Sequence, residues 1–191
     1  MNKLSFRAEV KQRIAALDGN YISASNERIF QELIALPEFI SAPRIFTYLS
    51  MGREVDTRKL IAYCEKLGKP LALPTNLHDG EMSFALIDCP IDSLPLGEFN
   101  IPAPHSSSEI VFPQLNDLIL VPALCFDKNN FRLGRGGGYY DRYLSSCKAF
   151  SVGLCREALL VPAVPRESFD MQTACLITEK RIARPVRVSQ R

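Results

Sequence analysis

"RIFTYLSMGREVDTRKLIAYCEKLGKPLALPT" (residues 44–75) reads as strand, helix, strand. "RIFTYLS" and "KPLALPT" are short apolar runs bounded by turn formers. The intervening "DTRKLIAYCEKLG" carries Leu60, Ile61, Cys64 and Leu67 at helical spacing, with Asp56 or Thr57 as cap and Gly68 as stop. Two strands joined through a helix run parallel, with a right-handed crossover. Downstream, "DLILVPALCF" (117–126) is a nearly continuous apolar run, as expected of a strand buried on both faces, and "AFSVGLC" (149–155) is its expected parallel neighbour. Between them "YYDRYLSSC" has helical character, which makes a second strand, helix, strand unit, and "MSFALID" (82–88) reads as another strand. The expected fold is α/β, an open, mainly parallel sheet flanked by helices in a Rossmann-like three-layer architecture.

Upstream, Leu4, Arg7, Val10, Ile14 and Leu17 follow helical spacing, and Lys3 and Arg7 share one helical face. "SASNERIFQELIALPEF" predicts a second helix, capped by Ser25, striped by Ile29, Phe30, Leu33 and Ile34, and closed by Pro37. The connection over residues 93–116 is long and rich in proline and serine, which marks it as a loop able to cover a site.

At 191 residues one domain over the whole chain is expected. A net charge of +2 provides no general drive toward nucleic acid or membrane, so a basic site must be local. No stretch approaches the length that spans a bilayer and the N-terminus lacks a signal-peptide segment, so a cytoplasmic protein is expected, and a monomer. The six cysteines are widely spaced without CxxC and read as buried thiols, and His78 and His105 are isolated and read as surface residues.

"FRLGRGGGYYDRYL" (131–144) concentrates backbone freedom and positive charge. Glycines before a helix let backbone N–H groups converge on an anion, and the helix N-terminus adds partial positive charge. Arg132 and Arg135 can supply fork-shaped donors to phosphate oxygens, and Asp141 can hold a Mg²⁺ that bridges them. The spacing is neither a Walker A loop nor a dinucleotide fingerprint. A tight strand-to-helix turn with solvated arginines is the structural alternative.

Together with "KLSFR" (3–7), "YLSMGREVDT" (48–57) and "FNIPAP" (99–104), the stretch "VPALCFDKNNFRLGRGGGYYDRYL" (121–144) resembles the 5-formyltetrahydrofolate cyclo-ligase, or methenyltetrahydrofolate synthetase, family. The resemblance implies conversion of 5-formyltetrahydrofolate to 5,10-methenyltetrahydrofolate, with ATP as co-substrate and Mg²⁺ as cofactor. It implies ATP binding by Lys3, Arg7 and the loop Arg132, Leu133, Gly134, Arg135, Gly136, Gly137, Gly138, Tyr139 and Tyr140. The folate falls to Leu49, Glu54, Arg135, Gly136, Gly137, Gly138 and Tyr139. The resemblance also implies that Arg135 and Tyr139 stand nearest the reacting groups and that Asp141 is the Mg²⁺ ligand. An exposed first-turn acid such as Asp141 would contribute at most about 1 kcal/mol to the fold. Some relatives have lysine where this chain has Gly137, and Ala174 stands where the family has a second acid, so either water fills that metal position or the metal binds more weakly. The alternative reading is an inactive folate- or nucleotide-binding protein.

Overall fold

The computed structural model describes residues 2–78, 81–97 and 100–185; Phe99 and the side chain of His78 lie outside the described residues. Helices α1 (Lys3–Ala15), α2 (Gly19–Ile34) and α3 (Pro37–Ser41) lead into β1 (Ile45–Phe46), α4 (Arg58–Leu67), β2 (Leu71–His78), β3 (Glu81–Ile87) and β4 (Ile110–Val111). The chain continues through β5 (Leu118–Val121), β6 (Cys125–Asp127), β7 (Arg132–Leu133), α5 (Tyr139–Ser146), β8 (Phe150–Leu154), β9 (Leu160–Val161), β10 (Cys175–Ile177) and β11 (Ile182–Ala183).

Among the described residues the main sheet has the order β11-β10-β8-β5-β1-β2-β3-β4. Neighbours from β10 to β2 are all parallel, and β11, β3 and β4 add antiparallel edges. Successive strand residues point to opposite faces. Thus Ile45, Leu118 and Leu120 meet Ile29, Leu33, Leu60, Ile61 and Cys64 of α2 and α4, while Phe46, Ile119 and Val121 meet Leu144 of α5. Both expected crossover units are present, and the sheet lies between two helical layers.

Several expectations need correction. "DLILVPALCF" is two strands, because the main-sheet ladder ends at Val121 and the chain crosses into a small sheet of order β7-β6-β9. Pro122 has no N–H to extend a ladder, which accounts for the break. Ser25 is not a cap: Asp18 caps α2 through Asn20 and Tyr21, and Ser25 is buried within the helix. α2 ends at Ile34, and Pro37 opens α3. Asp56, not the Thr57 hydroxyl, accepts from the N–H of Arg58, while that hydroxyl donates to the Tyr48 carbonyl. Gly68 closes α4 in the left-handed conformation, φ 65°, and Leu67 is exposed. In α1, Phe6 and Val10 are the buried positions, while Leu4 is exposed and Leu17 lies beyond the helix end. Cys64, Cys125, Cys155 and Cys175 are buried, Cys89 and Cys147 are partly exposed, and all are free thiols.

The small sheet packs on α1 through Phe6, Val10, Cys125, Phe126 and Leu133. Its junction with the main sheet is tight at Gly153, where an added Cβ would lie 2.4 Å from Phe126 Cζ. Gly153→Ala is therefore expected to destabilise the protein by about 1–3 kcal/mol. Thermal unfolding checks this: an unchanged midpoint would show that Phe126 can move aside.

Candidate functional site

The glycine loop begins where β7 ends, so a hairpin separates it from the main-sheet strand β5. The loop folds back on α1: Arg7 Nε donates to the Gly134 carbonyl at 2.9 Å. Gly136 and Gly138 take φ values of 119° and 68°, conformations that disfavour any side chain. An added Cβ at Gly136 would lie 3.6 Å from the Arg7 guanidinium carbon, so the arginine covers the loop backbone. At Gly137 an added Cβ would stand 2.6 Å from the Tyr139 ring. Gly138 supplies no side-chain cap to α5, so the first N–H groups of that helix face the loop without one.

The charged residues form three separate sets of ion pairs. Lys3 Nζ lies 2.8 Å from both Asp170 oxygens and 3.0 Å from Glu167. Partial burial pulls its pKa down, but these two carboxylates hold it above its ordinary value. Arg132 donates to the Met171 carbonyl at 2.8 Å and lies 2.8 Å from Asp141 Oδ1, which also accepts from the Met171 N–H. Burial lowers the Arg132 pKa, partly offset by Asp141. Arg135 lies 2.7 Å from Glu54 Oε1. The Tyr140 hydroxyl is buried without a hydrogen-bond partner among the described residues, and burial raises its pKa.

Glu54 belongs to the turn that follows β1, beyond the carboxyl end of a central strand, where open α/β sheets bind ligands. Its Oε2 accepts from the Met51 N–H at 2.9 Å. On one side of Glu54 is a cleft of about 440 Å³ lined by Leu49, Ser50, Asp56, Asn100, Ile101 and Pro102 among others. On the other is a smaller one of about 220 Å³, bordered by Lys11, Tyr48, Arg53, Arg135 and Arg156. The described part of the long connection thus reaches the site through Asn100 to Pro102.

The structure brings Lys3, Arg7, Arg132, the glycines, Tyr139, Tyr140 and Asp141 to one end of the sheet, and Arg135 links them to Glu54 and the cleft holding Leu49. Leu133 is buried beneath the loop in the α1 core. Ala174 begins the approach to β10, and its N–H donates to Ser151 Oγ. The sequence reading missed Arg156, which no motif or periodicity distinguishes from a surface arginine.

The model of the 5-formyltetrahydrofolate cyclo-ligase family matches residues 1–179. The chain belongs to this family. The mouse 5-formyltetrahydrofolate cyclo-ligase is 32% identical over 182 residues, covering 89% of this chain and 90% of the mouse protein. The NMR structure of the 5,10-methenyltetrahydrofolate synthetase of Aquifex aeolicus superposes with a TM-score of 0.82 at 32% identity, covering 96% of this chain and 93% of that one. The Mycoplasma pneumoniae synthetase, at 23% identity and a TM-score of 0.75, shares the fold. The cyclo-ligase match includes every residue of these three sets of ion pairs.

Proposed function

We propose that the loop from Arg132 to Tyr140, with Lys3 and Arg7, cradles the phosphates of ATP, and that Leu49 and Glu54 line the folate pocket. Arg135, the loop glycines and Tyr139 stand where the two substrates meet. The observation that carries this reading is the 2.7 Å Arg135–Glu54 pair, which joins the anion-binding loop to the cleft. The chain is an ATP-dependent 5-formyltetrahydrofolate cyclo-ligase. In its reaction the γ-phosphoryl group of ATP passes to the formyl oxygen, leaving ADP, and turns that oxygen into a leaving group. N10 attacks the activated carbon, the carbon–oxygen bond breaks with release of phosphate, N10 loses its proton, and 5,10-methenyltetrahydrofolate remains.

The residues act through position and charge. Without substrates, Arg135 answers the Glu54 carboxylate. When phosphate oxygens take the guanidinium, Glu54 is left to accept paired hydrogen bonds from the aminopyrimidine edge of the pterin. Asp141 would hold Mg²⁺ beside the phosphates, where the ion would neutralise charge on the transferring group. Mg²⁺ is usually held by one or two carboxylates, substrate phosphates and water, and Asp141 would be the carboxylate here. The proposal includes a cytoplasmic monomer; among the described residues no helix is long and apolar enough to cross a membrane.

The convergence of Lys3, Arg135, Glu54 and Asp141 favours turnover over an inactive binder. The test is near-ultraviolet detection of methenyltetrahydrofolate, with ATP and Mg²⁺ each present or omitted. Product formation is expected to require both; bound folate without product would establish the inactive binder.

A further inference from the structure

Arg156, just past β8, is 1% exposed and heads the largest fully buried side chains. Its Nε donates to Ser25 Oγ at 3.0 Å and its Nη2 to Asn26 Oδ1 at 2.6 Å, both on α2. Its Nη1 donates to the Arg53 carbonyl at 2.8 Å and its Nη2 to the Glu54 carbonyl at 3.1 Å. None of these acceptors is a carboxylate. Burial pulls the Arg156 pKa down, offset only in part by neighbouring groups that include Glu179, and apolar packing of similar volume would avoid that penalty. The planar, forked donor set of a guanidinium does what apolar packing cannot, binding several oxygens in fixed directions.

Those oxygens are informative. The turn carrying Glu54 is tied by its own bonds, Glu54 N–H to the Met51 carbonyl and Met51 N–H to Glu54 Oε2. Such bonds close the turn but do not orient it relative to the sheet. Arg53 Nη1 donating to the Leu17 carbonyl and the Asp56 N–H donating to Asn26 Oδ1 tie its flanks to α2 and the segment before it, and Arg156, anchored on α2, grips the backbone carbonyls of residues 53 and 54 themselves.

We propose that Arg156 is a positioning residue for the folate site: through the Glu54 backbone it sets the direction in which the Glu54 carboxylate meets the pterin. This rests on the assignment of Glu54 to the folate. It does not extend to ATP, whose proposed contacts lie on α1 and the glycine loop.

The test is steady-state kinetics on the full chain for Arg156→Lys, Arg156→Met, Ser25→Ala and Glu54→Gln, with thermal unfolding alongside. Arg156→Met is expected to raise KM for 5-formyltetrahydrofolate about 10-fold or more while KM for ATP stays within about twofold. Arg156→Lys, with one ammonium in place of the fork, should fall between Met and wild type. A merely structural arginine would lower the melting midpoint and the active fraction without separating the two KM values, and that result would overturn the proposal. Should both Arg156 variants fail to fold, Ser25→Ala removes the Nε acceptor, along with that hydroxyl's local bond to the Ile22 carbonyl within α2, and is expected to raise the folate KM about threefold; an unchanged value there would also overturn it. If Glu54→Gln leaves the folate KM unchanged, the Glu54 assignment fails instead, so the two failures are distinguishable.

Discussion

Asp141→Asn is expected to lower kcat about 10²–10³-fold, the loss typical of removing one preorganised electrostatic contact in a reacting site, while the protein still folds. The choice of asparagine over alanine comes from the structure. On sequence grounds Asp141 is an exposed first-turn acid worth at most about 1 kcal/mol. In the fold its Oδ1 meets the buried Arg132 guanidinium at 2.8 Å and accepts the Met171 N–H at 2.9 Å. Alanine would strand Arg132 as a buried cation, a loss of about 3–5 kcal/mol for a fully buried pair and less here, because the Asp141 side chain retains 21% exposure. Asparagine keeps an oxygen for both donors and removes the charge. Paired measurements of kcat and melting midpoint separate the two effects: an active, stable Asp141→Asn protein would exclude the carboxylate from phosphoryl transfer.

Glu54→Gln is expected to weaken 5-formyltetrahydrofolate binding about 10- to 100-fold, the worth of charge-assisted hydrogen bonds, and to change ATP affinity by less than about twofold. Glutamine retains one acceptor but turns a donor toward the aminopyrimidine edge, where a carboxylate offers two acceptors. The same change removes the charged partner of Arg135, whose side chain is 60% exposed and therefore contributes little to stability through the pair. Separate titrations of the two ligands check the prediction; equal weakening of both would contradict the folate assignment.

Residues 44–75 were readable because local pattern and tertiary placement agree. The spacing of Leu60, Ile61 and Cys64 is the spacing by which α4 meets the sheet, and Gly68 stops the helix in a conformation that favours glycine. Leu67 was misread because the same periodicity extends one position past the contact. "DLILVPALCF" was misread because hydrophobicity alone does not say which sheet a strand joins; the missing N–H of Pro122 was the available sign of the break. Ser25 was misread as a cap because a hydroxyl at a suitable offset can also turn inward to a buried partner, here Arg156.

By itself, the sequence determined the parallel α/β architecture, the position of the glycine loop before a helix, and the residue types assigned to phosphate and folate. The architecture and the loop follow from periodicity and backbone preference, which act over a few residues; the assignment of Lys3, Arg7, Leu49 and Glu54 to phosphate and folate follows from the family resemblance. Only the tertiary structure decided the partners: Arg135 with Glu54 across 81 positions, Lys3 with Asp170 across 167, and Arg156 with the turn that carries Glu54. Such pairings depend on which loops the strand order brings to one end of the sheet. A guanidinium reads the same in sequence whether it ends in solvent or beneath a turn.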